Sequence, residues 1–165
     1  MFRFSVLVTV VILSSIGAVS GQGFLQASVQ TVGIGCGPAA VIPDLSMTPP
    51  VIGGSSTISV MHSFNPSPII VFMSPGAPVV PPLIIPGPVN PLGVCEVYLD
   101  LSNTFQFVTL SGNAIPPATT SFAIPNVPSL AGVSATLQAV VLVGPIFGGT
   151  PALVITNAVH ATVGF

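Results

Sequence analysis

The chain has 165 residues, three acidic side chains, one basic side chain and two histidines, and half of its residues are hydrophobic. A mean hydropathy of +0.99 excludes intrinsic disorder, which needs low hydrophobicity and high charge. With a single Lys or Arg in the whole chain, a nucleic-acid interface is excluded as well, because that needs a basic patch.

The chain starts MFRFSVLVTVVILSSIGAVSGQ. Arg3 makes a short positive n-region, Phe4 to Ile16 an apolar core, and Ala18-Val19-Ser20 a small-x-small cleavage site before Gly21. Residues 1–20 therefore read as a helical secretory signal peptide. The alternative, an uncleaved anchor, is short of a full span. No Cys follows the core, so lipoprotein processing is not expected. Residues 21–165 make one domain's worth of chain. Its charges are Asp44, Glu96 and Asp100, with His62 and His160 and no Lys or Arg. Ordinary surfaces are far more charged. Little electrostatic repulsion keeps such molecules apart, which favours association with itself, a matrix or a surface component.

Phe24 to Gly33 alternates loosely and predicts a first strand, with Leu25, Ala27 and Val29 inward. The segment around Cys36 is rich in glycine. Pro43 to Gly54 holds Pro49-Pro50 and Gly53-Gly54 and reads as loop. Ser56 to Phe64 predicts a strand with Ile58, Val60, His62 and Phe64 on one face, so His62 is expected as a core or rim imidazole with one hydrogen-bonded nitrogen. Ile69 to Met73 reads as a short buried strand. Ser74 to Pro91 is dense in proline yet apolar, with Leu83-Ile84-Ile85 as an edge strand. Val94 to Leu101 alternates cleanly. It places Cys95, Val97, Leu99 and Leu101 inward and Val94, Glu96, Tyr98 and Asp100 outward. Ser102-Asn103 turns the chain, Phe105 to Leu110 returns, and Thr119 to Ile124 is a further strand.

The two most hydrophobic strands come last. Val133 to Val143 places Val133, Ala135, Leu137, Ala139, Val141 and Val143 on one face. Its other face starts polar at Ser134, Thr136 and Gln138 and turns apolar at Val140 and Leu142, which predicts burial on both sides toward its end. Gly144-Pro145 and Gly148-Gly149 form the turn. Ala152 to Phe165 returns with Leu153, Ile155, Asn157, Val159, Ala161, Val163 and Phe165 on one face, and Val154, Thr156, Ala158, His160 and Thr162 on the other. A transmembrane helix over 130–147 has the length but carries Gln138 mid-span, ends at Gly144-Pro145 and lacks flanking cations. No membrane span is expected once the leader is removed. Short strands punctuated by Gly and Pro predict an all-β domain: an antiparallel β-sandwich, jelly-roll or Ig-like, over 21–165.

The two cysteines, Cys36 and Cys95, are expected to form a disulfide in an exported chain. Two buried thiols, or an inter-chain bridge from Cys36, are the alternatives. Catalysis is not expected. No serine sits in a G-x-S-x-G elbow, the histidines lie in separate strands, and Lys is absent for a phosphate loop. Glu96 and Asp100 would stand roughly 13 Å apart along a strand, too far for a retaining glycosidase pair. Three dispersed acids make no rich Ca²⁺ site, and two cysteines so spaced make no zinc motif. No metal or cofactor is expected.

Several segments fall into a recognisable layout: GIGCGPAA, TPPVIGG, GVCEVYLDL, then IPNVPSLAGVSATLQAVVL and a terminal LVITNAVHATVG. This layout resembles a β-domain common in secreted proteins of planctomycetes and myxobacteria, often C-terminal to FG-GAP propeller repeats. The LAG-x6-QA stretch and the TNAV-x3-VG ending are its most specific pieces. The resemblance implies a secreted or cell-surface β-sandwich without assigned activity, and carries no functional residues over.

The expected role is therefore a non-catalytic structural, assembly or adhesion protein outside the cell. A small binding module for a glycan or surface component is the alternative, with Tyr98, the lone Tyr in a chain without Trp, as its possible surface contact. A third possibility is a subunit completed by strand exchange between copies.

Overall fold

A computed structural model describes residues 25–37, 42–63, 67–85, 94–112, 117–144 and 152–165. The leader with its expected helix, Phe24, Phe64, the stretch after Ile85 up to Gly93, and the turn residues 145–151 lie outside the described residues. The described residues form ten strands: β1 (Ser28–Val32), β2 (Asp44–Met47), β3 (Ser55–Met61), β4 (Ser67–Pro75), β5 (Leu83–Ile85), β6 (Cys95–Val97), β7 (Phe105–Gly112), β8 (Ala118–Ala123), β9 (Ser134–Val143) and β10 (Ala152–Thr162). A 3₁₀ turn, Pro128–Leu130, precedes β9.

The expected all-β antiparallel sandwich is what these strands build. A five-stranded sheet, ordered β1-β10-β9-β4-β7, packs on a three-stranded sheet, ordered β2-β3-β8. A two-stranded ribbon, β5-β6, forms a ladder of its own, separate from those of both sheets. Every strand pairing is antiparallel. The core forms where inward positions of the two sheets meet. Ile69 and Val71 of β4, and Ala139 and Val141 of β9, are fully buried against Leu45, Ile58 and Val60 of β2 and β3. Full burial of one Val, Leu or Ile side chain of this list is worth about 1.5–3 kcal/mol.

The hairpin β9–β10 forms, but its return strand is not a simple alternation. Ile155 pairs with Val140, while Ala158 pairs with Gln138: three steps on β10 oppose two on β9. The extra residue is a β-bulge at Thr156-Asn157, and it reverses the parity of every side chain beyond it. Val154 therefore joins Val159 and Ala161 in the core, whereas Leu153 is 54% exposed. The expected grouping of Leu153 and Ile155 with Val159 is corrected by that one inserted residue. Val133 precedes β9 and is exposed, whereas from Ala135 to Val143 the inward face of β9 is as expected. Its second face is covered at Thr136 and Gln138 rather than at Val140 and Leu142, which are only half-buried.

Three further expectations change. Pro43 to Gly54 is not all loop, because Asp44–Met47 pairs with β3 and sends Leu45 into the core. β7 returns against β4 and not against β6. The Val94–Leu101 strand stops at Val97, so its alternation fails beyond that point: Tyr98 is buried and Leu101 is 59% exposed. β1 is paired along its length with β10 of its own sheet, which counts against a subunit waiting for a donated strand.

Candidate binding surface

The ribbon β5-β6 and the segment that follows it are held over the outer face of the five-stranded sheet by four attachments. The first is covalent. Cys36 and Cys95 form a disulfide, with Cα atoms 5.1 Å apart, and Cys36 is itself pinned to β10 by its N–H donating to the Ile155 carbonyl at 2.7 Å. The second is Gln138, which is 2% exposed. Its amide donates to the carbonyls of Glu96 and Thr156, both at 2.8 Å, and accepts from the Tyr98 N–H at 3.1 Å. An apolar side chain there would leave these backbone groups without partners, which is why a polar residue sits mid-strand in an apolar run.

The third attachment is Tyr98. Its ring packs so closely on Gly33 that any Cβ at that position would collide with it, and Gly33 also has a φ of 69°, where glycine is favoured. The phenol donates to Glu96 Oε2 at 2.5 Å. Last, the Asp100 N–H donates to Ser74 Oγ of β4 at 3.4 Å, and its carboxylate closes a turn within the segment, accepting from Ser102 N at 3.0 Å, Ser102 Oγ at 2.6 Å and Asn103 Nδ2 at 2.8 Å. The hydrogen bonds from Ser102 and Asn103 hold the Asp100 carboxyl below its ordinary value. A lowered carboxylate stabilises the fold above its unfolded pKa, and that support is lost as pH falls through the lowered value.

Tyr98 was expected on the outer face. The strand ends one residue before it, so the chain rotates its side chain beneath the Gly33 segment instead. Its pKa is raised, first by the hydrogen bond to Glu96, then by burial and by the charge of Glu96. As the only Tyr in a chain without Trp, it can be titrated alone. Absorbance at the tyrosinate band should show a midpoint above the ordinary value near 10 in the folded protein, returning to about 10 in denaturant. Glu96→Gln should lower the folded midpoint. The raised value means stability is present below pH ~10 and is lost as pH rises through the folded pKa. A folded midpoint at or below that of the denatured chain would contradict the buried pair.

Between the anchored segment and the sheet lies a cavity of about 280 Å³. Phe72 of β4, Gln138 and Val140 of β9, and Ile155 of β10 form its floor, while Ile85, Val97, Leu99, Leu101, Thr104 and Leu153 form its walls. The apolar end of the second face of β9, expected to be fully buried, is thus one side of an open cavity. Its rim carries exposed Leu101, Leu153 and Ile85, and β5 beside it exposes Leu83 and Ile84 as well. A smaller space of about 120 Å³ lies between the two sheets, next to the edge-on pair Phe107 and Phe122, whose rings are 5.1 Å apart.

The remaining sequence candidates do not converge. β3 ends at Met61, and neither ring nitrogen of His62 has a hydrogen-bond partner among the described residues, in place of the single bond expected. His160 Nδ1 lies 3.4 Å from Thr136 Oγ1. Among the described residues no three or more His, Cys, Asp or Glu gather where a metal ion could be held, and no helix is long and apolar enough to cross a membrane. The structural weight falls instead on Gln138, Thr156 and Asn157. Their only sequence signal is that they are polar residues inside otherwise apolar strands. No family model matches the chain, and no curated protein matches it either.

Proposed function

We propose that this chain is an exported, non-catalytic structural protein that acts by contact, through assembly or adhesion at a surface outside the cell. The observation that carries this reading is the ribbon strand Leu83-Ile84-Ile85. All three side chains are exposed, at 48%, 54% and 40%, on a molecule with almost no charge. Natural proteins usually blunt such a strand with charge. Here the strand is short, at three residues, prolines flank it in the sequence, and no Lys or Glu stands within it. The disulfide supports an oxidising compartment, since such bonds persist outside the cytosol. The resemblance to secreted bacterial β-domains points the same way.

The alternative of a glycan-binding module loses support from the placement of Tyr98, because a ring wedged under Gly33 cannot stack on a sugar. The assembly reading is tested by sedimentation velocity of the exported chain at low salt. Association should grow with concentration, and Ile84→Lys should weaken it at least tenfold. A protein that stays strictly monomeric at high concentration would sink the proposal.

A further inference from the structure

We propose that the cavity beneath the β5-β6 ribbon is a binding site for a single aliphatic chain with an uncharged end, independent of whether the protein assembles. Three observations fix that ligand class. First, the cavity is of ligand size, about 280 Å³. A methylene needs about the room of a water molecule, roughly 30 Å³, so on the order of nine or ten carbons fit. Second, among the described residues the lining has no charged side chain, and its two polar side chains are already engaged. Both amide hydrogens of Gln138 go to carbonyls, and the Thr104 hydroxyl donates to the Asp100 carbonyl at 2.6 Å. A sugar, nucleotide or carboxylate entering there would give up its water for no side-chain donor. Third, the same segment that walls the cavity carries Glu96 and Asp100, and the described residues contain no Lys or Arg. An anionic headgroup would be repelled at the rim, and a phospholipid surface would find no cation to hold it.

The geometry favours a slot for one chain over a flat face. Phe72, Val140 and Ile155 lie at the bottom, with Leu99 above and Leu101 and Leu153 at the mouth. The ribbon that forms the upper wall is fixed by the disulfide and by Gln138, so the slot exists before a ligand arrives.

Isothermal titration of the full exported chain with decan-1-ol tests the assignment. A dissociation constant on the order of tens of micromolar is expected. Shortening the probe from decanol to nonanol to octanol should weaken binding about fourfold per carbon removed. Decanoate at neutral pH should bind at least tenfold more weakly than decanol, and phosphatidylcholine vesicles should not carry the protein upward in flotation. Val140→Phe fills the slot and should reduce decanol affinity at least tenfold. Leu101→Asn, at an exposed rim position that the fold does not need, should reduce it severalfold if the first variant does not fold. Val80→Ser, at a 77% exposed position outside the lining, should leave affinity unchanged. No saturable binding, binding without chain-length dependence, binding unaffected by the rim variant, or flotation with vesicles would each overturn the assignment.

Discussion

Replacing Asn157 with alanine should destabilise the domain by roughly 2–5 kcal/mol, because two buried backbone groups lose their partner at once. Asn157 sits in the β10 bulge and is 3% exposed. Its Oδ1 accepts from the Leu45 N–H at 2.7 Å, and its Nδ2 donates to the Leu45 carbonyl at 2.8 Å. The side-chain amide thus pairs with a backbone in the other sheet as a neighbouring strand would. Leu45 is 1% exposed, so no water replaces the lost bonds. The neighbouring Thr156 hydroxyl keeps its own pair, accepting from Ala139 N at 2.9 Å and donating to the Asn157 carbonyl at 2.7 Å, so the bulge itself should survive. Urea unfolding followed by circular dichroism measures the loss. Asn157→Asp makes a sharper test. The ionised carboxylate keeps the acceptor but faces the Leu45 carbonyl without a donor, so at neutral pH it should be at least as damaging as alanine. Burial raises the pKa of the introduced carboxyl. Protonation restores a donor, so stability relative to the alanine variant should rise as pH falls through that raised value. An alanine variant within 0.5 kcal/mol of the parent, in the range of ordinary surface substitutions, would show that the inter-sheet bond carries little.

The bulge also explains what the sequence could and could not disclose. Strand existence was legible wherever β-branched residues ran together, as in Ile69–Met73 and Val133–Val143. Those residues are consistent with one pleated, buried surface whatever their neighbours do. Parity was legible only up to the first irregularity. TLQAV reads as a clean alternation, and so does VITNAVH, but nothing local says that Thr156 and Asn157 share one step of the ladder. That decision belongs to Leu45, more than a hundred residues away in sequence, which supplies the partner for Asn157. The same non-local cause hid β2. DLSM between prolines has weak strand propensity alone, and it becomes a strand because β3 and Asn157 pair with its backbone. Tyr98 fails for a related reason. Its alternation is real in the sequence, but the pairing partner β5 is only three residues long, so beyond Val97 no ladder enforces the alternation. The cavity was invisible because apolar residues on a second face predict a cover, and only the structure shows that the cover stops short.

Removing the disulfide should produce a loss of comparable size by a different route. Cys36 and Cys95 are 59 residues apart, and closing a loop of that length in the unfolded chain is worth about 4 kcal/mol in the chain-entropy model. The folded state gives up little in return. Cys36 N still bonds to Ile155 O, Cys95 still pairs with Ile85, and Gln138 still holds the Glu96 and Tyr98 backbone. The double replacement Cys36→Ser with Cys95→Ser should therefore fold, with a Tm lower by roughly 10–15 °C. The urea slope separates the mechanisms. If the bond acts on the unfolded state, the uncrosslinked chain expands and the slope must rise along with the fall in midpoint. If the loss comes from local loosening of the ribbon, the midpoint falls with the slope unchanged, and Tyr98, which lies three residues beyond Cys95, should titrate closer to its ordinary value in the variant. Mass and mobility with and without reductant check the premise, since an intramolecular bond leaves a monomer of unchanged size and an inter-chain bridge does not. A stability loss below about 1 kcal/mol, outside the usual 2–4 kcal/mol for a natural disulfide, would mean that the reduced unfolded chain is already held compact by its own apolar surface. For a chain with almost no charge to swell it, that result would place the balance of stability in the denatured ensemble and not in the crosslink.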